Sequence, residues 1–376
     1  MYNAYDMVYT CKAFDHRKSP DGKTSYRFLI ENSIFDNQAE YILSFPWPAQ
    51  IKNNLPVHVS DLIKIAMVCG RPQYARFAYN WCKLVFYHYM CHHDMVTLEG
   101  PGYHKTWIAH ARGVYETLAK YNDPPGYKDE HGRSLQGVDL RETPAKRRQF
   151  WGTSMMFFPD GTMYPIGDTH RRQFVPPLRK SINRIAPGFG LTILGDGSQR
   201  EHNQIQAILS WNASGHGHSH EDVNNLILFA NGRELFSDIY AGWACRMTSM
   251  HNTVSIDGRE TKSETHEPGS LRLFTPNLNG VAIVQVEANM AAYPRDFCKR
   301  FRRTLVLNTV DMKHPYVLDI FEVKGGHRHD YYLQGCGEKA YPQKGSTNLK
   351  LAPFAKPEPQ NPQAITGWDG FENLKS

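Results

Sequence analysis

The stretch Gly215-His-Gly-His-Ser-His-Glu-Asp222, answered further on by Met250-His-Asn-Thr-Val254, concentrates side chains that can hold a metal ion or move a proton. His216, His218, His220 and Asp222 fall at every second position, and strand side chains alternate with period two. An extended segment would therefore point all four the same way. A face of imidazoles with a carboxylate suits a transition metal, proton transfer, or both. The competing explanation is a polar loop that happens to be rich in histidine. Cys91-His92-His93-Asp94 is a second cluster, but adjacent residues on a helix diverge, so a surface or buried structural role is expected for it.

The elements that must carry these residues change character along the chain. Asp61–Cys69, Ala75–Met90 and Tyr103–Tyr121 place apolar residues at helical spacing, with Trp107, Ile108, Ala111, Val114 and Leu118 in the last. Gly70-Arg-Pro72 and Gly100-Pro-Gly102 are short breaks between them, which implies paired antiparallel helices. The opening residues, Met1 to Thr10, also read as helix and lack the basic start and apolar core of a secretion signal. The chain is thus expected to be a piece whose start lies upstream. Asp123 to Asp139 reads as a long loop.

After about residue 185 the period becomes two. Gln204–Leu209, Leu226–Phe229, Glu234–Ser237, Thr253–Ile256, Val281–Val286, Thr304–Leu307 and Tyr316–Ile320 are candidate strands. Asn231-Gly232 is a strong hairpin signal. The fold class expected is α+β, a helical part over residues 1–180 followed by an antiparallel β part over 181–350. The Pro-, Asn- and Gln-rich tail, 351–376, is expected to be poorly ordered or to begin a further module.

Composition narrows the function classes. A chain of 376 residues favours two domains over one core. No apolar run reaches the roughly 18 residues that a membrane-spanning helix needs. The seven cysteines show no CxxC spacing, which argues against a disulfide framework and a thiolate zinc site. The net charge of +6, without a concentrated basic run, fits an anionic small molecule or polysaccharide better than a nucleic acid.

Four motifs occur in a fixed order: Glu99-Gly-Pro-Gly-Tyr-His104, then His218-x-His220-x-Asp222, then Gly232-Arg-x-Leu-x-x-Asp238, then Arg246-x(4)-His251-Asn-Thr-Val254. This order resembles the heparinase II/III family of polysaccharide lyases, which includes related alginate lyases, over roughly residues 50 to 335. The resemblance implies an N-terminal (α/α) helical toroid, truncated here, joined to an antiparallel β-sandwich, with substrate between them. It implies a zinc ion held by His220, Asp238 and His251, with His218 facing the substrate and Tyr103 as the catalytic tyrosine. The family's adjacent Asn-His pair has its nearest counterparts in Asn53, Asn54 and His58, where the two residue types are not adjacent. A periplasmic or secreted location also follows from the resemblance.

The expected substrate is an anionic, uronic-acid-containing polysaccharide or oligosaccharide. Its C5 proton lies next to a carboxylate, and the glycosidic oxygen leaves from C4. Forming the carbanion requires the carboxylate charge to be neutralised, for which Asn54, His58 and Arg246 are candidates. His218 or Tyr103 would take the proton, and Tyr103 would protonate the leaving oxygen. The zinc is expected to be structural or orienting, holding the loop that carries His218.

A regular hairpin at Asn231-Gly232 pairs Ala230 with Arg233, which sets Asp238 opposite Asn225 and His220 opposite Trp243. A bulge or bend must intervene if His220 and Asp238 share one ion. The rival functions are a glycoside hydrolase acting on uronate oligosaccharides and a non-catalytic carbohydrate-binding relative. A hydrolase would need two carboxyl groups drawn from Asp94, Glu99, Asp160 and Asp168. A metal-dependent hydrolase with Glu221 as base ranks below both, because Glu221 falls on the opposite face of a regular strand.

Overall fold

A computed structural model of the chain describes residues 2–45, 53–85, 99–140, 155–170, 174–212, 217–238, 245–261, 269–288 and 297–335. The Cys91–Asp94 cluster, His216, Trp243 and the tail from Ala352 lie outside the described residues. The chain divides into two compact units. One is Met1–Phe157 with Ala186–Phe189 and His216–His218; the other is Phe158–Ile185, Gly190–Gly215 and Ser219–Ser376.

The first unit is helical: α1 (Tyr2–Val8), α2 (Ala13–His16), α3 (Tyr26–Phe28), a π-helical stretch over Leu29–Asp36, α4 (Asn37–Leu43), α5 (Leu55–Cys69), α6 (Pro72–Leu84) and α7 (Pro101–Leu118). Proline stands in the first turn of α5, α6 and α7, where its missing N–H costs no helical hydrogen bond. Gly70 ends α5 in the left-handed region, the usual C-terminal stop. On α7 the buried positions are Pro101, His104, Trp107, Ala111, Val114, Tyr115 and Leu118, and the last five form one apolar stripe at helical spacing. Trp107, Ala111, Val114, Tyr115 and Leu118 share a core with Val59, Leu62, Ile63, Ile65 and Ala66 of α5 and with Ala75, Ala78 and Trp81 of α6. Burial of each larger apolar side chain there contributes about 1.5–3 kcal/mol. The Asp123–Asp139 loop is irregular as expected, and the buried Asp123 pins it by accepting from Tyr121 (2.7 Å) and the Leu135 amide (2.6 Å).

The second unit is built of antiparallel sheets. A five-stranded sheet runs β1-β2-β3-β4-β5, from β1 (Arg184–Ala186), β2 (Leu191–Gly197), β3 (Gln204–Ser210), β4 (Asn225–Ala230) and β5 (Arg233–Phe236). A four-stranded sheet runs β10-β9-β8-β7, from β7 (Ser270–Leu278), β8 (Val281–Glu287), β9 (Cys298–Asn308) and β10 (Tyr316–Gly325). The short strands β6 (Val254–Ile256) and β11 (His329–Tyr331) pair separately. Leu194, Leu209, Trp211, Leu226 and Leu228 of the first sheet region share one apolar layer with Val284, Val286, Leu305 and Leu307 of the second.

Ala230 pairs with Arg233 across Asn231-Gly232, and both turn residues have positive φ, as a type I′ hairpin requires. The register then shifts between Leu228 and Phe229. That shift is the irregularity expected if His220 and Asp238 are to meet.

One expectation fails. Residues 217–222 form turns and bends, not a strand, so the period-two face of His218, His220 and Asp222 does not exist. Asn224, at φ 60°, turns the chain into β4 through the left-handed region that asparagine tolerates. His218 therefore groups with the helical unit, and His220 with the β unit.

Candidate metal centre and acid–base pair

In the β unit, His220, Asp238 and His251 are all buried, and each offers a ligand atom within 4.8 Å of the others. Asp238 follows β5 and is aimed by Asn225 of β4, whose Nδ2 donates to Asp238 Oδ2 at 2.8 Å. The contact lies beyond the end of β5, past the register shift at Leu228–Phe229, so it is made by side chains and not by the strand ladder. The other oxygen, Oδ1, meets His251 Nδ1 at 2.6 Å. Asn225 Oδ1 in turn accepts from the Asn252 amide at 2.9 Å, so one side chain spaces both carboxylate and histidine. Asn252 Nδ2 donates to the carbonyls of Leu226 (2.7 Å) and Ser237 (2.9 Å), and Thr253 donates to that of Val223 (2.6 Å). In the His-Asn-Thr motif, then, the first residue faces the centre while the next two tie the backbone around it.

Electrostatics separate the two histidines. Burial holds His220 below the ordinary imidazole range. Burial also works against charge on His251, but Asp238, aided by Asp222 and Glu260, outweighs it and lifts His251 to about 9. Asp222, fully enclosed, is pushed up to about 7 by burial, with His251 opposing. Among the described residues, His220 Nδ1, His251 Nε2 and Asp222 Oδ2 are buried without a hydrogen-bond partner. Orphaned buried polar atoms are rare and cost about 1–3 kcal/mol each unless something meets them.

The triad fits a zinc ion. Two imidazoles and a carboxylate are the ordinary donor set, and tetrahedral ligands at about 2.0–2.2 Å stand roughly 3.4 Å apart. The distances here, 2.6 Å from His251 Nδ1 to Asp238 Oδ1 and within 4.8 Å for all three residues, bracket that spacing.

Two further groups flank His220. Its Nε2 lies 3.0 Å from Asp168 Oδ1, and Arg246 Nη2 donates to Asp168 Oδ2 at 2.5 Å. Arg246, a sequence candidate for neutralising a substrate carboxylate, is thus engaged by Asp168.

The helical unit holds the second feature. Tyr103, on the first turn of α7, stacks on the His218 imidazole with ring centroids 3.4 Å apart and planes 9° from parallel. Gly100 precedes the helix at φ 100°, ψ 170°, a conformation open essentially to glycine alone, and so sets the angle at which α7 begins. Glu99 is buried and accepts from the Asn53 amide at 2.8 Å, while His110 Nδ1 lies 2.8 Å from the Asn53 carbonyl. The Asn53-Asn54 segment is thereby fixed to both ends of the first half of α7. Asn54 is exposed just ahead of α5, and His58, half-buried on α5, stacks on Phe45 at 6.1 Å.

The carboxylates a hydrolase would use have other partners. Glu99 holds Asn53, Asp168 holds His220 and Arg246, and Asp160 Oδ1 accepts from Thr162 in a turn (2.8 Å from its amide). Asp94 lies outside the described residues.

Residues 186–350 match the family model described as heparinase II/III-like, C-terminal. This part of the chain is a heparinase II/III-like C-terminal domain. The resemblance carried by the HxHxD, hairpin-aspartate and HNT motifs holds. An exo-oligoalginate lyase of Saccharophagus degradans is 26% identical over 155 residues, covering 35% of this chain and 20% of that enzyme. Among solved structures, a heparinase III aligns at TM-score 0.55 and 14% identity, covering 86% of this chain and 59% of that one. A heparan sulfate lyase from Pedobacter heparinus aligns at 0.50 and 14% identity, covering 82% and 51%. The chain thus spans between a fifth and three-fifths of the length of these relatives. At such identities the structural matches speak to the fold alone.

Sequence reasoning placed Asn225 opposite Asp238 without giving it a part in the site, and it missed the partner role of Asp168 and that of Arg303. The signal for Arg303 was present: β9 alternates, and Arg303 occupies the same inward phase as Phe301, Leu305 and Leu307. A charge at an inward position of an amphipathic strand calls for a buried partner.

Proposed function

We propose that this chain is the catalytic portion of a polysaccharide lyase that cleaves a uronic-acid-containing polysaccharide by β-elimination. The observation that carries the reading is the stack of Tyr103 on His218. It brings a phenol and an imidazole, from motifs more than a hundred residues apart, into one acid–base pair. The lyase names borne by the relatives support the reaction class, and the fold likeness supports an (α/α) toroid for the helical unit and a β-sandwich for the sheets. A secreted or periplasmic site of action accompanies this proposal.

In this reading His218 or Tyr103 takes the C5 proton, and Tyr103 protonates the departing C4 oxygen. The electron pair of the broken C–H bond becomes the C4–C5 double bond as the C4–O bond breaks. Asn54, exposed ahead of α5 and fixed through its neighbour Asn53, donates to the uronate carboxylate, with His58 further along the same helix. Neutralising that carboxylate is what makes C5 acidic enough to lose its proton.

His220, Asp238 and His251 would hold zinc, whose chemistry there is to fix the loop bearing His218 by replacing buried hydrogen bonds with coordination. His251 must shed its proton to join the set, so metal binding releases protons near neutral pH.

The experiment is ultraviolet absorbance in the unsaturated-uronate band across a panel of uronate polysaccharides, for wild type and Tyr103→Phe. One polymer should give a rising signal, and the variant, which keeps the ring and hence the stack, should lose roughly 10²–10⁴-fold in rate. Reducing-end release without absorbance would instead identify a hydrolase. No product from any polymer by folded, zinc-loaded protein would favour a binding protein.

A further inference from the structure

We infer that Asp168 is a positioning residue for the metal centre, fixing His220 in the tautomer that leaves Nδ1 for the ion. This rests on the zinc reading given above. Asp168 lies outside the segment that matches the family model, and no motif carried it there.

The geometry begins with a tight turn. Gly167 has φ 60°, the Thr169 amide donates to the Gly167 carbonyl at 2.6 Å, and the Thr169 hydroxyl donates to the Ile166 carbonyl at 2.6 Å. That turn holds the Asp168 carboxylate with one oxygen for each of two partners. Oδ1 faces His220 Nε2 at 3.0 Å, and Oδ2 receives Arg246 Nη2 at 2.5 Å. The side chains are enclosed: His220 is 1% exposed, Asp168 15% and Arg246 23%.

A carboxylate only accepts, so the hydrogen in the Asp168–His220 contact resides on Nε2. Neutral imidazole carries one ring hydrogen, which leaves Nδ1 with its lone pair. Nδ1 is the buried nitrogen that has no partner among the described residues. Asp168 thus orients the ring, selects the donor atom and raises its basicity, the part an outer carboxylate plays behind a metal-bound histidine. Arg246 compensates the carboxylate charge on the far side, which also accounts for an arginine five residues ahead of the His-Asn-Thr motif.

The test is zinc affinity, read by competition with a chromophoric chelator on metal-stripped protein, for wild type, Asp168→Asn and Asp168→Glu. Wild type should bind one zinc tightly. Asp168→Asn should bind 10- to 100-fold more weakly, and Asp168→Glu should recover part of the loss. The melting temperature of the zinc-free proteins separates positioning from bulk stability: the variants should differ from wild type mainly when zinc is present. A folded Asp168→Asn that binds zinc within twofold of wild type overturns the role of Asp168 alone. Wild type that binds no zinc overturns the metal reading and this inference with it. Nitrogen-15 spectra of histidine-labelled, zinc-loaded wild type give a check that needs no variant. They should show His220 protonated at Nε2 and metal-bound at Nδ1, and metal at Nε2 would overturn the assignment.

Discussion

Replacing Arg303 by methionine should unlatch the metal centre from behind. Arg303 is fully buried on β9. Its guanidinium forks onto Asp319 (Nε to Oδ1 2.9 Å, Nη2 to Oδ2 2.6 Å) and donates to the Asn224 carbonyl at 2.6 Å and to the Asn252 carbonyl. Nη2 also reaches the Tyr331 hydroxyl at 2.8 Å. Asn224 precedes the residue that aims Asp238, and Asn252 follows His251, so one side chain holds the backbone beside His251 and beside Asn225.

Methionine conserves much of the volume but leaves the Asn224 carbonyl unmatched and strips Asp319 of its cation, while the Asn252 carbonyl keeps the Leu226 amide (3.2 Å) and Asp319 keeps the Tyr331 hydroxyl. One orphaned buried acceptor costs about 1–3 kcal/mol and breaking a buried ion pair about 3–5 kcal/mol, so the loss is on the order of 3–5 kcal/mol. The 18% exposure of the Asp319 side chain favours the lower end. Hydrogen exchange is the assay, followed on peptides covering β6, β9 and β10. Their exchange should accelerate by roughly two to four powers of ten, since about 1.4 kcal/mol is tenfold. Zinc affinity should fall in parallel. Arg303→Lys should recover only part, because an ammonium cannot satisfy a carboxylate fork and two carbonyls together. A loss under about 1 kcal/mol by exchange, with zinc affinity unchanged, would refute the latch.

Two further outcomes follow from the helical unit. Burial drives the His104 imidazole down to about 3, so between pH 6.5 and that value the unfolded chain takes up a proton that the folded chain refuses. The stability His104 allows is therefore complete above pH 6.5 and is lost at about 1.4 kcal/mol per pH unit below it, about 2 kcal/mol by pH 5. Exchange of α7 amides across this range should show that slope in wild type and a flatter one in His104→Leu; equal slopes would sink the assignment. Gly100→Ala forces a side chain onto a backbone at φ 100°, ψ 170°, at a cost of about 1–3 kcal/mol, and shifts the start of α7. Turnover should drop roughly 10- to 100-fold through displacement of Tyr103, with zinc content unaltered. Unchanged turnover in a destabilised variant would show that Gly100 serves the fold and not the site.

The sequence alone determined the features set by local physics. Helices α5, α6 and α7 follow from apolar spacing near 3.6 with proline starts, and the β4–β5 hairpin follows from Asn231-Gly232. The regular hairpin register set Asp238 opposite Asn225, but the bulge at Leu228–Phe229 breaks that register and their side chains meet beyond the strand. Motif order was enough to indicate the heparinase II/III-like domain.

Other features depended on contacts between distant segments. Period two promised a single histidine face over residues 216–222, but the described part of that segment is turns, and His218 and His220 go to different partners. Strand β3 is buried along its whole length, so its alternation of Gln204 and Gln206 with apolar residues marks internal hydrogen bonds and not a wet face. The links from Asp168 to His220 and from Arg303 to Asn224 span 52 and 79 residues. Alternation and turn propensity act over a few residues, whereas a buried charge finds its partner only when the whole chain has closed around it.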